Sequence, residues 1–225
     1  SKLSHPNIVT IHSVERADER HFITMEYVEG RSLKDVIASG DLDICRIIET
    51  AVQMGEGLAA AHKAGVVHRD VKSDNVIITP EGRVKVMDFG LARIGASSGM
   101  TQTGTVLGTP HYMSPEQAAG APVDHRTDIY SLGATMYEVF TLTPPFRGRD
   151  HQDTLTQIIT REPQPPRKRN PRIPLEIETI VLKCLRKAPG DRYRTAEALA
   201  QARKQLQTQT AQVETLQKKI GRAVQ

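Results

Sequence analysis

Apolar and polar positions along this 225-residue chain follow two periods, one near two and one near 3.6. Close to the N-terminus, "NIVTIH" and "HFITMEY" are short β-branched or aromatic runs separated by the charged "SVERADER", which predicts two strands joined as a hairpin. Gly30 and Gly40 then bracket a short helix in "VEGRSLKDVIASG". From Ile44, apolar or small residues at 44, 47, 48, 51, 55, 58, 59 and 62 predict a helix of about five turns ending at Gly65. "VIIT" and "RVKVM" flank Pro80-Glu81-Gly82 and read as a second tight hairpin.

Residues 90–113 are rich in Gly, Ser and Thr with no clear period, which predicts a long loop of the kind that is usually functional. "RTDIYSLGATMYEVFTL" is apolar nearly all round, the mark of a helix buried in the middle of a domain, and "TPPF" stops it. Residues 150–161 and 174–186 read as helices joined by the Pro-rich "EPQPPRKRNPRIP", whose Arg167, Lys168 and Arg169 fit a solvated basic loop better than a phosphate site. A last helix starts near Thr195. Leu199, Leu206, Val213 and Ile220 recur every seven residues, with Ala202, Leu216 and Ala223 between them and Gln209 interrupting the seam. That stretch is a candidate coiled-coil surface for self-association, a linker helix, or, over 207–225, a frayed polar helix.

Composition narrows the class. A hydrophobic fraction of 38% supports a buried core, and 30 basic against 26 acidic residues give a net charge of +4 from mixed signs. That balance excludes nucleic-acid or membrane binding argued from charge alone, and no aromatic platform accompanies the basic residues at 167–172. Cys45 and Cys184 both fall in apolar periodic segments and are expected to be buried, reduced thiols in a reducing, cytoplasmic setting. No apolar run reaches the roughly 18–20 residues needed to cross a bilayer. The chain opens on Ser1 and enters a strand pattern at once, as a piece of a longer chain would.

The chemistry concentrates in "VVHRDVKSDNVIITPEGRVKVMDFGLAR". Phosphoryl transfer from a nucleotide needs a group to position the attacking hydroxyl, a cation for developing charge, and oxygen ligands for magnesium. Asp70 is a candidate for the first role and Lys72 for the second. Asn75 and Asp88 offer hard oxygens that suit Mg²⁺. Singly, Asp70 and Asp88 would read as turn residues; together with a lysine at 72 and an amide at 75 they do not.

His68-Arg69-Asp70 with Lys72 and Asn75, then Asp88-Phe89-Gly90, then Ser114-Pro115-Glu116, resembles the eukaryotic-type protein kinase family in order and spacing. The resemblance implies an α+β, protein-kinase-like fold: a remnant of the N-lobe sheet and hinge over 1–28, a mainly helical C-lobe over 29–205 and a tail over 206–225. It implies ATP and Mg²⁺ as cofactors and protein Ser/Thr hydroxyls as substrates, since serine/threonine-specific members carry a lysine two places after the catalytic aspartate. His68 and Phe89 would then be packing residues and Asp128 a carboxylate bonded to the catalytic-loop backbone. Glu116 and Arg192 would form a buried pair. "MEYV" resembles the hinge, with adenine bonding the backbone of Glu26 and Val28 beside Met25, and with Ile77 and Met87 walling the pocket. Thr101, Thr103 and Thr105 are candidate regulatory phosphate acceptors, read by Arg69, with the first two favoured by their distance from Thr109, and Thr109 itself would bridge Asp70 and Lys72; that distance resembles the bacterial receptor-like branch, whose members are often membrane-anchored beyond the kinase domain.

The sequence departs from the family where it lacks a glycine-rich loop, a third-strand lysine and its partner glutamate. The parent chain is therefore expected to be a serine/threonine kinase, and these residues alone to be feeble, the alternative being a pseudokinase-like scaffold. Gly55-Glu56-Gly57 with Ala60 matches a nucleotide-loop pattern, but it lies mid-helix with no strand before it and is read as chance.

Overall fold

The computed structural model describes residues 3–17, 20–40, 43–89 and 110–198. Strands β1 (Ile11–Ala17) and β2 (Arg20–Met25) form an antiparallel pair with Val14 opposite Ile23 and a register shift between Ile11 and Ser13. The first strand thus starts later than the apolar run suggested, and "SVERA" belongs to it rather than to the turn. The reason lies in residues 7–9. Ile8, 2% exposed, plugs the core and bridges Val86 in parallel, while Val86 N–H donates to the Asn7 carbonyl and Val9 N–H to the Val86 carbonyl, both at 2.9 Å. Asn7 is held from the side as well, its amide donating to Gln53 Oε1 and to the Val84 carbonyl.

β3 (Arg31–Ser32), β4 (Val76–Ile78) and β5 (Val84–Val86) make a small antiparallel sheet in that order. Helix α1 (Leu33–Ser39) begins where Ser32 accepts the Asp35 N–H and ends at Gly40 in the left-handed region, φ 72°. Helix α2 (Ile44–Lys63) is capped by Asp43 and buries Ile47, Met54, Leu58 and Ala61 along one stripe. Gly57 in that helix lies against residue 7: a Cβ there would stand 3.0 Å from the Asn7 carbonyl. The Gly-Glu-Gly triplet is therefore a close-packing site within a helix.

Cys45 is exposed, contrary to the reading from its apolar neighbours. It lies two residues before Ile47, about 200° round the helix, and so faces away from the buried stripe. Cys184 is buried, and that burial pushes its thiol far up.

A short helix α3 (Pro115–Ala118) carries a full capping box from Ser114 and Gln117, which the sequence reading placed next to a loop without assigning a helix. Helix α4 (Arg126–Thr141) is the axis of the domain. Only Arg126, Glu138 and Thr141 among its residues escape full burial, and Ile129, Tyr130 and Leu132 are at most 1% exposed. Each such side chain contributes about 1.5–3 kcal/mol relative to leaving it in water. α5 (His151–Thr160) and α6 (Leu175–Cys184) complete the layer, α6 packing along α4, and residues 196–198 are again helical. Among the described residues no helix is long and apolar enough to cross a membrane. The heptad stretch from Leu199, and Thr101, Thr103, Thr105 and Thr109, lie outside the described residues.

Candidate active site

The site is built on the turn that leaves α2. Gly65, at φ 73°, reverses the chain, and Val66 N–H closes on the Ala61 carbonyl at 2.9 Å. The extended segment that follows is pinned from below by Asp128 in the first turn of α4. Its carboxylate accepts the His68 N–H at 2.8 Å, the Arg69 N–H at 2.7 Å and His62 Nε2 at 2.7 Å, and it is fully buried. Three donors are what a carboxylate needs in such a place, since an unpaired buried charge costs several kcal/mol, roughly. With its backbone so held, Arg69 sits at φ 71°, a conformation costly for a residue with a Cβ.

Asp70 emerges just above this anchor, its side chain 54% exposed. Lys72 Nζ donates to Asp70 Oδ2 at 2.7 Å, and Asn75 Nδ2 donates to both Asp70 O and Asp70 Oδ2 at 2.9 and 3.0 Å. Residues 73–75 turn once as a tight 3₁₀ helix closed by Asn75 N–H on the Lys72 carbonyl, so all three functional groups sit on one local frame. Because the Asn75 amide hydrogens face Asp70, its carbonyl oxygen is the atom left to meet a cation.

Asp88 is brought to the same frame through its neighbours. Met87 N–H donates to the Asn75 carbonyl at 2.9 Å, and His68 Nε2 donates to the Met87 carbonyl at 2.7 Å. Since Met87 O only accepts, the His68 proton is on Nε2, and Nδ1 is free to receive the Asp70 N–H at 3.3 Å. The His68 ring also packs on Phe89, centroids 4.5 Å apart. Asp88 itself lies at φ 62° between these two anchored residues.

The opposite wall is residues 110–117. Gln117 Nε2 donates to the Arg69 carbonyl at 2.7 Å. The Tyr112 and Ser73 hydroxyls converge on Glu138 Oε2 at 2.8 and 3.0 Å. Burial pushes the Tyr112 phenol well up, so it remains a neutral donor. Behind this wall Glu116 meets Arg192 in two bonds of 2.7 Å each.

The nucleotide-side candidates lie near the small sheet. Glu26 exchanges bonds with Thr10, giving its N–H to the Thr10 carbonyl and accepting the Thr10 N–H, and its carboxylate pairs with Lys85 of β5. Burial works to raise the Glu26 carboxyl, but the Lys85 and Thr10 bonds outweigh it and hold it below the usual range. Gly30 runs so close to β4 that a Cβ would stand 2.7 Å from Ile77 Cγ2, which brings the 26–30 segment over Ile77. Val28 is half-buried and Tyr27 is 92% exposed. Met87 follows β5 directly.

Sequence reasoning missed His62, Ser73, Tyr112, Gln117 and Glu138. Glu138 carried a usable signal, a carboxylate in a helix that is apolar nearly all round, whereas Asp128 was singled out by the family resemblance. His62 is a positioning residue: it touches the site only through Asp128. Substituting His62→Phe keeps a ring and removes the donor, with an expected cost of about 1–3 kcal/mol. The measurement is a lower urea midpoint at unchanged m-value; an unmoved midpoint would mean that two backbone N–H groups satisfy Asp128 alone.

Comparison with known proteins places the chain in a family. The model of the family described as protein kinase domain matches residues 1–202. The chain is 41% identical over 200 residues to the probable serine/threonine-protein kinase CPE1738 of Clostridium perfringens, covering 88% of this chain and 29% of that protein. It is 41% identical over 200 residues to the serine/threonine-protein kinase PknB of Mycobacterium leprae, covering 86% and 32%. It is 43% identical over 206 residues to the probable serine/threonine-protein kinase SCO3848 of Streptomyces coelicolor, covering 88% and 31%. The chain thus spans about a third of the length of these curated relatives. With the motifs, the fold and these likenesses in agreement, the chain belongs to the eukaryotic-type serine/threonine protein kinase family.

Proposed function

We propose that this chain is the catalytic part of a protein that transfers the γ-phosphoryl group of ATP to Ser or Thr hydroxyls of other proteins. The observation that carries the proposal is the frame around Asp70, where one carboxylate oxygen is bonded to both Lys72 and Asn75. Asp70 orients the acceptor hydroxyl and takes its proton as the oxygen bonds to the γ-phosphorus and the bond to the β-phosphate oxygen breaks, releasing ADP. Lys72 stands where negative charge gathers on the transferred group.

Members of this family use ATP and Mg²⁺, and the donor set fits that use. Asn75 and Asp88 supply hard oxygens, and among the described residues no three His, Cys, Asp or Glu side chains converge to hold an ion unaided. That suits an ion held by one or two protein ligands together with phosphates and water. Bound there, magnesium would neutralise phosphate charge. On the nucleotide side the Glu26 N–H is taken by Thr10, so Glu26 offers its carbonyl and Val28 its backbone to adenine, with Met25, Ile77 and Met87 as apolar walls. For regulation, Arg69 Nε is buried and has no partner among the described residues, which suits a guanidinium waiting for a phosphate on Thr101, Thr103 or Thr105.

The test is transfer from γ-labelled ATP to a Ser/Thr protein by the full-length chain, with and without Mg²⁺. We expect label on Ser or Thr, and in Asp88→Asn at least a roughly hundredfold loss with a raised Mg²⁺ requirement. Nucleotide binding without transfer would overturn the proposal in favour of a scaffold.

A further inference from the structure

Away from the catalytic frame, the ends of three helices border a cleft of about 1410 Å³ that opens to solvent. The end of α1, the first turn of α2 and the last turn of α4 line it, together with Arg169, Asn170 and Arg172 of the Pro-rich connection. An open recess of this size suits a protein segment better than an enclosed small molecule.

The lining is apolar and its geometry is fixed. Ile47, Val139 and Phe140 belong to the buried core, and Ile37 and Ile44 are half-buried beside the cleft. Leu142 is 66% exposed and is held in the left-handed region at φ 59°, its N–H closing on the Glu138 carbonyl at 2.7 Å. The connection is tied to the same end of α4: Asn170 Nδ2 donates to the Phe140 carbonyl at 3.0 Å, and Arg169 Nη1 to Thr143 Oγ1 at 2.9 Å. The recess is therefore built before any partner arrives.

Its charge is cationic and unanswered. Arg169 and Arg172 are exposed, and Arg169 bonds only neutral side chains, Gln164 and Thr143, among the described residues. Among those residues no carboxylate pairs with Arg172 either. Asp43, the acidic group of the described lining, is spent on the Arg46 N–H at 2.8 Å.

An occupant must bring apolar side chains and negative charge together. The chain's own long segments outside the described residues do not. Residues 90–109 contain no Asp or Glu, and residues 199–225 set Glu214 against Arg203, Lys204, Lys218, Lys219 and Arg222. A flat anionic bilayer supplies the charge but does not enter a recess.

We infer that this cleft docks a segment of another protein in which bulky apolar side chains stand beside Asp or Glu. The apolar side chains cover Leu142 and the half-buried isoleucines, and the carboxylate accepts hydrogen bonds from the Arg172 guanidinium. No residue of the cleft takes part in the proposed transfer chemistry, so docking is measured without nucleotide.

The experiment uses the full-length protein and fluorescent peptides that set Leu and Phe beside Asp at varied spacing, each matched by a peptide with Asn for Asp. At least one Asp peptide should bind, about fivefold more tightly than its Asn match, and the gap should shrink at high salt. Arg172→Gln should narrow that gap. Leu142→Asn, a residue that tolerates the left-handed backbone, should weaken binding about tenfold. Both positions are exposed, so both variants should keep the native Tm. Cys45 is exposed and lines the cleft, whereas Cys184 is buried, so bound peptide should also slow alkylation of Cys45, read by mass spectrometry. No binding by any peptide, equal binding of Asp and Asn peptides, affinity unchanged in either variant, or Cys45 alkylated as fast with peptide bound would overturn the inference. Phosphatidylserine vesicles that shield Cys45 while no peptide does would overturn it in favour of a lipid surface.

Discussion

Replacing Asp70 with asparagine is expected to lower kcat for phosphoryl transfer by about 10²–10⁴-fold, the range a positioned general base contributes. The substitution preserves shape, and the backbone beneath it stays pinned by Asp128, so the loss is chemical. An asparagine at 70 has no charge to receive the hydroxyl proton: its amide oxygen can keep both donors that meet Asp70 Oδ2, Lys72 Nζ and Asn75 Nδ2, but this puts an N–H group in place of Oδ1. Since the proton moves only as the new bond forms, kcat and kcat/KM should fall together while the dissociation constant for nucleotide moves little. Steady-state kinetics beside a binding titration measure both. A variant retaining a tenth or more of the native kcat would remove Asp70 from the reaction.

The second large effect concerns stability. Arg192 is fully buried, and every N–H of its guanidinium is directed at an acceptor or the ring beside it. Nε meets the Arg186 carbonyl, Nη1 meets Glu116 and the Arg126 carbonyl, Nη2 meets Glu116 and the Lys187 carbonyl, and the Tyr130 ring lies 5.0 Å from Cζ. Arg192→Ala leaves the Glu116 carboxylate buried without its cation and strands three carbonyls. The expected cost is about 3–5 kcal/mol, a fall in Tm of roughly 10 °C. Replacing both partners, as in Glu116→Gln/Arg192→Met, should cost less than the single change, because no lone charge remains. The pH dependence has a definite sign. Burial acts to raise the Glu116 carboxyl, but the Arg192 hydrogen bonds and charge outweigh it, so its folded value lies below its unfolded one. The contribution is thus complete above the ordinary carboxylate range and is lost as pH falls through the folded value. The Tm gap between the native chain and Glu116→Gln should narrow on acidification; a gap that widened would contradict this account.

Why some features could be read from the sequence and others not follows from how far apart their determinants lie. The α2 helix was legible because its apolar stripe repeats within the helix itself, α4 because it is apolar nearly all round over a helix-length run, and the second hairpin because Gly82 announces its turn. Asp70, Lys72 and Asn75 fall within six consecutive residues, so local spacing alone places them near one another. Ile8 was misplaced because its apolar run looks like a strand, whereas its fate depends on Gln53 and Val86, far along the chain. Cys45 was misjudged by counting apolar neighbours without resolving the helix face they occupy. His62, Tyr112 and Glu138 gain their meaning only when α4 brings them against the 68–75 turn. No pattern along one segment encodes that meeting.

Helix α4 carries Asp128 near one end and Glu138 ten residues later, about 15 Å along its axis. One carboxylate sets the Arg69 backbone and the other sets Ser73 and Tyr112. A single rigid rod therefore acts as a template that fixes the distance between the Arg69 backbone and the turn that carries Tyr112. Inserting one residue between 128 and 138 would swing the second carboxylate by about 100°, and no side-chain rotation could restore both contacts. The chain should tolerate substitution along this stretch far better than any change in its length.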